Sequence, residues 1–236
     1  MSRDHRGGVQ RAFSSQSPEP AAPQMILCVR RATLEERLLG IPLGFAVRPA
    51  LVGRLEAIVK EVGAFRPRPA LEEDPAYLQI IVQGLVVRKG KPLALFRKSR
   101  RPQEGQFVET RHNAKIALAA GGHVELVESK NVNILRAALS RELAEELVLD
   151  PPPILAETAP LGMICTASRG APLFQQVHLG VIYQVPAPGS VVLPDGCDEF
   201  DRIEFPDPSR LRELFPRLEA WGQLLASAIL EGRLRL

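Results

Sequence analysis

Apolar positions fall into separate runs along the chain, and the runs differ in period. Met25 to Val29 is short and continuously apolar, which predicts a strand. From Leu51 to Val62 the apolar residues Leu51, Leu55, Ile58, Val59 and Val62 recur every three or four positions, the period of a helix with one buried face. Pro67 and Pro69 then stop it. Leu78 to Val87 is dense in Ile, Val and Leu and predicts a buried strand. Lys89-Gly90 reads as a turn and Pro92 to Phe96 as the return strand of a hairpin. A polar loop runs on through Arg111, followed by a short apolar strand, Ile116 to Ala119, ending at Gly121-Gly122.

The strongest helix spans Ile134 to Leu147, with Leu135, Leu139, Leu143 and Leu147 in a stripe that can dock on a sheet. Asn133 is its predicted N-cap and Pro151-Pro152-Pro153 a hard stop. Two further strands are predicted at Leu161 to Cys165 and Val177 to Val185, placing Cys165 as a buried apolar residue and His178 in core or pocket. After Pro206 and Pro208 comes a last helix, Leu218 to Leu230, for which Phe215 and Trp221 read as core anchors. Strands alternating irregularly with a few helices make the fold class α/β (α+β).

Composition narrows this. The chain has 236 residues, 45% hydrophobic and 24% charged, with a formal net charge of +3, ordinary for a globular domain. Residues 1–24 are polar and rich in Pro and Ser, so a disordered tail is expected there, followed by one elaborated domain over 25–236 whose first part, 25–74, is an N-terminal extension. No apolar run reaches the ~20 residues of a membrane span. Cys28, Cys165 and Cys197 show neither zinc spacing nor a disulfide framework, which fits a reducing, cytoplasmic setting. Arg3, Arg6, Arg11, Ser14 and Ser15 leave a mitochondrial transit segment open, although Asp4, Gly7 and Gly8 interrupt the amphipathic helix it would need.

Candidate chemistry gathers on the strongest helix. Glu142, Glu145 and Glu146 stand at i, i+3 and i+4 and share one face. Such a run is commonly just a solvated acidic face. A hard divalent cation would instead turn the repulsion of three carboxylates into a binding site. Gly121-Gly122 ends an apolar strand, where backbone can approach a ligand closely. Arg141 precedes the first Glu, and Glu128 lies in the connecting loop.

These residues resemble the Nudix hydrolase family. Its box runs Gly, five residues, Glu, seven residues, then Arg-Glu-apolar-x-Glu-Glu-x-Gly-apolar. Gly122 and Glu128 meet the first spacing, and Arg141-Glu142-Leu143-Ala144-Glu145-Glu146 meets the second block. Two departures stand out: twelve residues, Ser129 to Ser140, separate Glu128 from Arg141, five more than usual, and Val148 occupies the place of the closing Gly before the apolar Leu149. Glu72-Glu73-Asp74-Pro75, Gln79-Ile80-Ile81, Gly121-Gly122-His123 and Gln176-Val177-His178-Leu179-Gly180 are similar to a subgroup labelled predicted phosphoesterases.

The resemblance implies a mixed sheet between helices with a loop–helix–loop catalytic element, and Mg²⁺- or Mn²⁺-dependent attack of water on a diphosphate linkage, the substrate being a small phosphorylated molecule such as a nucleotide. It implies that Glu142, Glu145, Glu146 and the Gly122 carbonyl hold metal and that Arg141 orients Glu142. The general base stays open between Glu142 and a residue of the long loop. Two rivals share the fold: a catalytically silent ligand sensor or interaction domain, and an isomerase of allylic diphosphates, for which no cysteine and glutamate pair is assignable.

Arg88, Lys89, Lys91, Arg97, Lys98, Arg100 and Arg101 form a basic stretch with no acid between Val86 and Arg101. Lys89 and Lys91 read as a solvated turn. Arg97, Lys98 and Arg100 run toward the glycines and are the phosphate-binding candidates, with His123 either touching substrate or filling the loop. Few aromatics interleave, which argues against nucleic acid as partner. A homodimer is left open.

Overall fold

The structure, a computed structural model, describes residues 22–99, 114–155, 158–167 and 172–236. Its first elements are β1 (Met25–Arg30), α1 (Arg31–Arg37), β2 (Gly44–Ala46), α2 (Pro49–Val62), β3 (Ala64–Pro67) and α3 (Arg68–Glu72). The middle of the chain forms β4 (Tyr77–Arg88), β5 (Lys91–Pro92), β6 (Ala94–Arg97), β7 (Ile116–Ala117), β8 (Ala120–His123), a 3-10 turn (Leu126–Lys130), α4 (Ile134–Glu146) and β9 (Val148–Asp150). The remainder is β10 (Ala159–Cys165), α5 (Leu173–Gln176), β11 (His178–Pro186), β12 (Ser190–Val192), β13 (Phe200–Glu204), α6 (Pro208–Leu214), a 3-10 turn (Phe215–Arg217) and α7 (Ala220–Leu230). None of the described helices is long and apolar enough to cross a membrane.

A mixed eight-stranded sheet in the order β2-β10-β11-β4-β1-β3, with β5 and β8 also on β4, forms the centre. β4 is its spine. Along one edge β11 runs parallel to it from Gln79 to Val87. The other edge is divided among β1 at Tyr77–Gln79, β8 at Ile81–Gly84 and β5 at Val87–Arg88. That division corrects the hairpin expected from the sequence. Lys91 and Pro92 pair back onto β4 and Leu93 N donates to the Val86 carbonyl, but β8 holds β4 from Gly84 to Ile81, and β6 leaves for a three-stranded sheet, β13-β6-β7.

Period-two alternation gives the sheet two buried faces. Leu78, Ile80, Val82 and Val86 of β4 pack with Leu179, Val181, Tyr183 and Val185 of β11 under α2 and α4. Leu85, Val87 and Ile182 point to a second core capped by α6 and α7. Gln79, Ile81 and Gln83 share that second face by register, but there the apolar filling stops. The mixed sheet between helices expected from the resemblance is what the chain forms. The extension contributes to it directly: β1 pairs with β4, β2 with β10 and β3 with β1.

The tail expected to be disordered over 1–24 lies outside the described residues as far as residue 21; Gln24 is held, its amide donating to Glu125 Oε1 at 2.8 Å and its carbonyl accepting from Arg68 N. Pro67 and Pro69 do more than break a helix. Pro67 closes β3, and Pro69 sits in the first turn of α3, where its missing N–H costs nothing.

Candidate functional site

Helix α4 is built as its sequence predicts. Asn133 caps it by accepting from Arg136 N at 3.0 Å, and Leu135, Leu139, Leu143 and the adjoining Leu147 are all buried against the sheet. Gly84 of β4 lets it come close: a Cβ there would stand 3.1 Å from a Leu143 methyl and 3.3 Å from a Leu139 methyl. The helix ends at Leu147 in extended conformation and runs straight into β9, which pairs with β12 through Val148↔Val192. A left-handed residue is therefore not needed at its end, and Val148 serves where the box it resembles has Gly. The proline run ends β9 rather than the helix.

Docked in this way, α4 presents its acids to β8. Glu142 is nine-tenths buried, and a Cβ on Gly122 would stand 2.6 Å from both of its carboxylate oxygens. Glu146 reaches the preceding residue, its Oε2 accepting from Gly121 N at 3.2 Å. Glu145 is the exposed member. Burial pushes the Glu142 carboxyl up to about 7, against the pull of Arg141 and with a push from Glu145 and Glu125. Burial likewise pushes Glu146 up to about 8, the Arg97 charge opposing it and Glu142 adding to it.

Arg141 ties the site together. Its guanidinium donates to Glu128 Oε1 at 2.8 Å and to the His123 carbonyl at 2.8 Å, and stands 2.9 Å from Glu142 Oε1 and 3.1 Å from Glu145 Oε2. The orientation of Glu142 by Arg141 expected from the resemblance thus has a direct contact behind it. Glu128, whose role the lengthened loop left unassigned, is almost wholly buried and accepts from both Arg141 and Glu125 N. It closes the base of the loop.

The donors are hard oxygens, Glu142 buried and Glu146 partly so, and the two repel each other, which is the chemistry a divalent cation suits. Among the described residues no three His, Cys, Asp or Glu side chains form a ready-made metal cage. Arg141 Nη1 contacts both Glu142 and Glu145.

On the other face of the sheet a cavity of ≈ 260 Å³ opens where the apolar filling of β4 stops. Gly121 and Gly122 form the wall it shares with the carboxylates; Ile81, Gln83, His123 and His178 line its floor. The registers Ile81↔His123 and Gln79↔His178 bring the two histidines together, ring centroids 5.6 Å apart. His123 also meets the Gln79 amide oxygen at 2.9 Å. Burial, with the charges of Arg68, His178 and Arg141, holds His123 well below the usual imidazole range, so it is neutral at pH 7. Trp221, Arg68, Arg97, Glu199 and Glu219 complete the wall.

The sequence-predicted residues divide accordingly. Glu142, Glu146, Arg141 and Gly122 come together, and Glu145 stands beside them at the surface. Arg97 and His123 reach the cavity. Arg97 ion-pairs with Glu199, and its Nε lies 3.5 Å from Glu219 Oε2. Lys98 does not reach the cavity; its amine is bonded to the Cys197 carbonyl at 2.6 Å. Arg100, Arg101 and Arg111 lie outside the described residues.

Trp221 packs against the second core, as the sequence reading expects, and does more: its half-buried ring also forms a wall of the cavity and fits over Gly180, where a Cβ would lie 2.6 Å from the indole. Glu199, Glu219, Gln83 and Arg68 were missed. Their signals were polar Gln79 and Gln83 in an otherwise apolar strand, and Gly180 in another.

No family model matches this chain, and no curated protein matches it by sequence. Solved structures do. The crystal structure of Tm1382, named a candidate Nudix hydrolase, superposes with a TM-score of 0.67 at 22% identity, covering 88% of this chain and 99% of that one. Weaker likenesses are to a bifunctional NMN adenylyltransferase/ADP ribose pyrophosphatase from Francisella tularensis (TM-score 0.46, 15% identity, 66% of this chain and 42% of that one). Another is to a MutT protein from Methanosarcina mazei Go1 (TM-score 0.43, 16% identity, 66% and 95%). The fold is the Nudix fold.

Proposed function

We propose that this protein is a hydrolase that cleaves the diphosphate linkage of a small phosphorylated molecule, a nucleotide or nucleotide-linked compound, with Mg²⁺ or Mn²⁺ as cofactor. The observation that carries the reading is the convergence of Glu142 and Glu146 on the Gly121-Gly122 backbone, with Arg141 and buried Glu128 bracing it. Glu142, Glu145, Glu146 and the Gly122 carbonyl would hold the cation. When bound, it supplies neutralisation of phosphate charge and a water of lowered pKa. Glu142 would also be the residue placed to accept a proton from an attacking water, and Arg141 keeps its carboxylate from swinging into solvent. His123, neutral and buried, borders the substrate without adding charge.

One observation favours a second reading, a ligand sensor without turnover: Arg141 already pairs with Glu142 and Glu145 and so partly occupies the carboxylates. A panel of nucleotides, nucleotide sugars and dinucleoside polyphosphates, assayed with Mg²⁺ and Mn²⁺, separates the two. Under the hydrolytic reading at least one compound is turned over, and Glu145→Gln or Glu146→Gln lowers that rate by about 10²-fold or more while far-UV circular dichroism is unchanged. Unaltered turnover in both variants would sink the metal assignment; tight binding with no turnover would establish the sensor.

A further inference from the structure

The cavity is built for something other than phosphate. Among the described residues its charged lining is balanced, Arg68 and Arg97 against Glu199 and Glu219, so a polyanion gains little from them by entering. Those same charges make it a poor home for a hydrocarbon chain. The aromatic wall is seated in a recess, since the central strand β11 carries glycine at position 180, where a Cβ would lie 2.6 Å from the Trp221 ring and 2.5 Å from an Ile164 methyl. A flat ring is the shape that such a wall selects.

Arg97 and its carboxylates define the polar edge that a flat ring would meet. The guanidinium ion-pairs with Glu199, its Nε lies 3.5 Å from Glu219, and its five N–H donors stand beside the oxygens of these two carboxylates. Donors and acceptors thus stand side by side. Guanine presents the complementary order, acceptors N7 and O6 followed by donors N1–H and N2–H, and arginine is the common partner of O6 and N7. Adenine puts its one donor group between two acceptors and matches only in part.

We propose that this cavity is the recognition site for the organic group of the substrate, and that the group is a guanine base stacked on Trp221 and read by Arg97 with Glu199 and Glu219. The proposal rests on the hydrolytic reading for its biological sense, because the shared Gly121-Gly122 wall would carry the diphosphate from the base pocket to the carboxylates.

Trp221 is the single tryptophan of the chain, so its emission reports on the cavity directly. The intact protein is titrated in EDTA with GMP, AMP, UMP and ribose 5-phosphate. GMP is expected to quench saturably and to bind at least about tenfold more tightly than AMP or UMP, with ribose 5-phosphate leaving the emission unchanged. Glu219→Gln is expected to abolish the preference for GMP over AMP, and Trp221→Leu to weaken GMP binding, followed by calorimetry, by about tenfold. Equal affinity for the nucleotides, quenching by ribose 5-phosphate, or no quenching at all overturns the proposal. The titration needs neither metal nor turnover, so its failure leaves the hydrolytic reading standing, and failure of the hydrolase assays leaves the base pocket testable.

Discussion

Gly121 and Gly122 are neighbours that stay small for opposite reasons, and substituting them separates stability from activity. The nearest atoms to a Cβ at 122 are those of the Glu142 carboxylate, the far end of a flexible side chain that can move aside. A Cβ at 121 meets the Val82 backbone oxygen at 2.1 Å, from a residue whose φ of 148° belongs to glycine. Gly122→Ala is therefore expected to abolish turnover with a shift in urea midpoint worth less than about 1 kcal/mol, whereas Gly121→Ala costs about 1–3 kcal/mol or more by forcing β8 from β4. Comparing urea melts with rates for the two variants checks both. The acids and glycines were legible because their chemistry is written at short, fixed spacing. The cavity was not, since Gln83, Arg97, Glu199, Glu219 and Trp221 come from distant parts of the chain and meet only through the registers of β4, β8 and β11. A lone tryptophan in an apolar helix carries no local sign of which side it will face.

At the scale of elements, α4 holds the site by its buried stripe more than by its cap. Leu139 is completely buried, so Leu139→Ala is expected to cost about 2–5 kcal/mol, and Asn133→Ala about 1 kcal/mol through loss of one capping bond. Denaturant unfolding of the two variants tests that order, and a reversal would mean that the helix is held by its end. Long periodic elements were readable in advance: β1, α2, β4, α4, β10, β11 and α7 form close to their expected places. The short ones, α1, β2, β3 and α3, were not, because three to seven residues are too few to show a period and their pairing is decided by the sheet. The misread hairpin has the same origin. Turn chemistry at Lys89-Gly90 was right, both residues having positive φ, but the local sequence cannot tell that β8, some thirty residues on, owns the edge of β4.

For the whole molecule, the buried acids set how stability responds to pH. Glu142 and Glu146 bind their protons in the fold up to about 7 and about 8, while in the unfolded chain they ionise near the ordinary ~4.3. Across that interval unfolding releases protons, so the stabilising contribution is complete below pH ~4.5 and is lost as pH rises toward 8. In EDTA the melting temperature should fall over this range, the double variant Glu142→Gln/Glu146→Gln should flatten the fall, and Mg²⁺ should raise the wild-type value most at the alkaline end. A profile rising from pH 5 to 8 in EDTA would contradict the burial of these groups. The clamp between Glu128 and Arg141 also limits where the chain between them can vary in length. Because Ile134 to Ser140 already belong to α4, only the short link of residues 131–133 between the 3-10 turn and the helix can change length while the Glu128–Arg141 bond holds both ends in place. Length added or removed at that link would therefore project outward from a fixed base and leave the braced carboxylates where they stand.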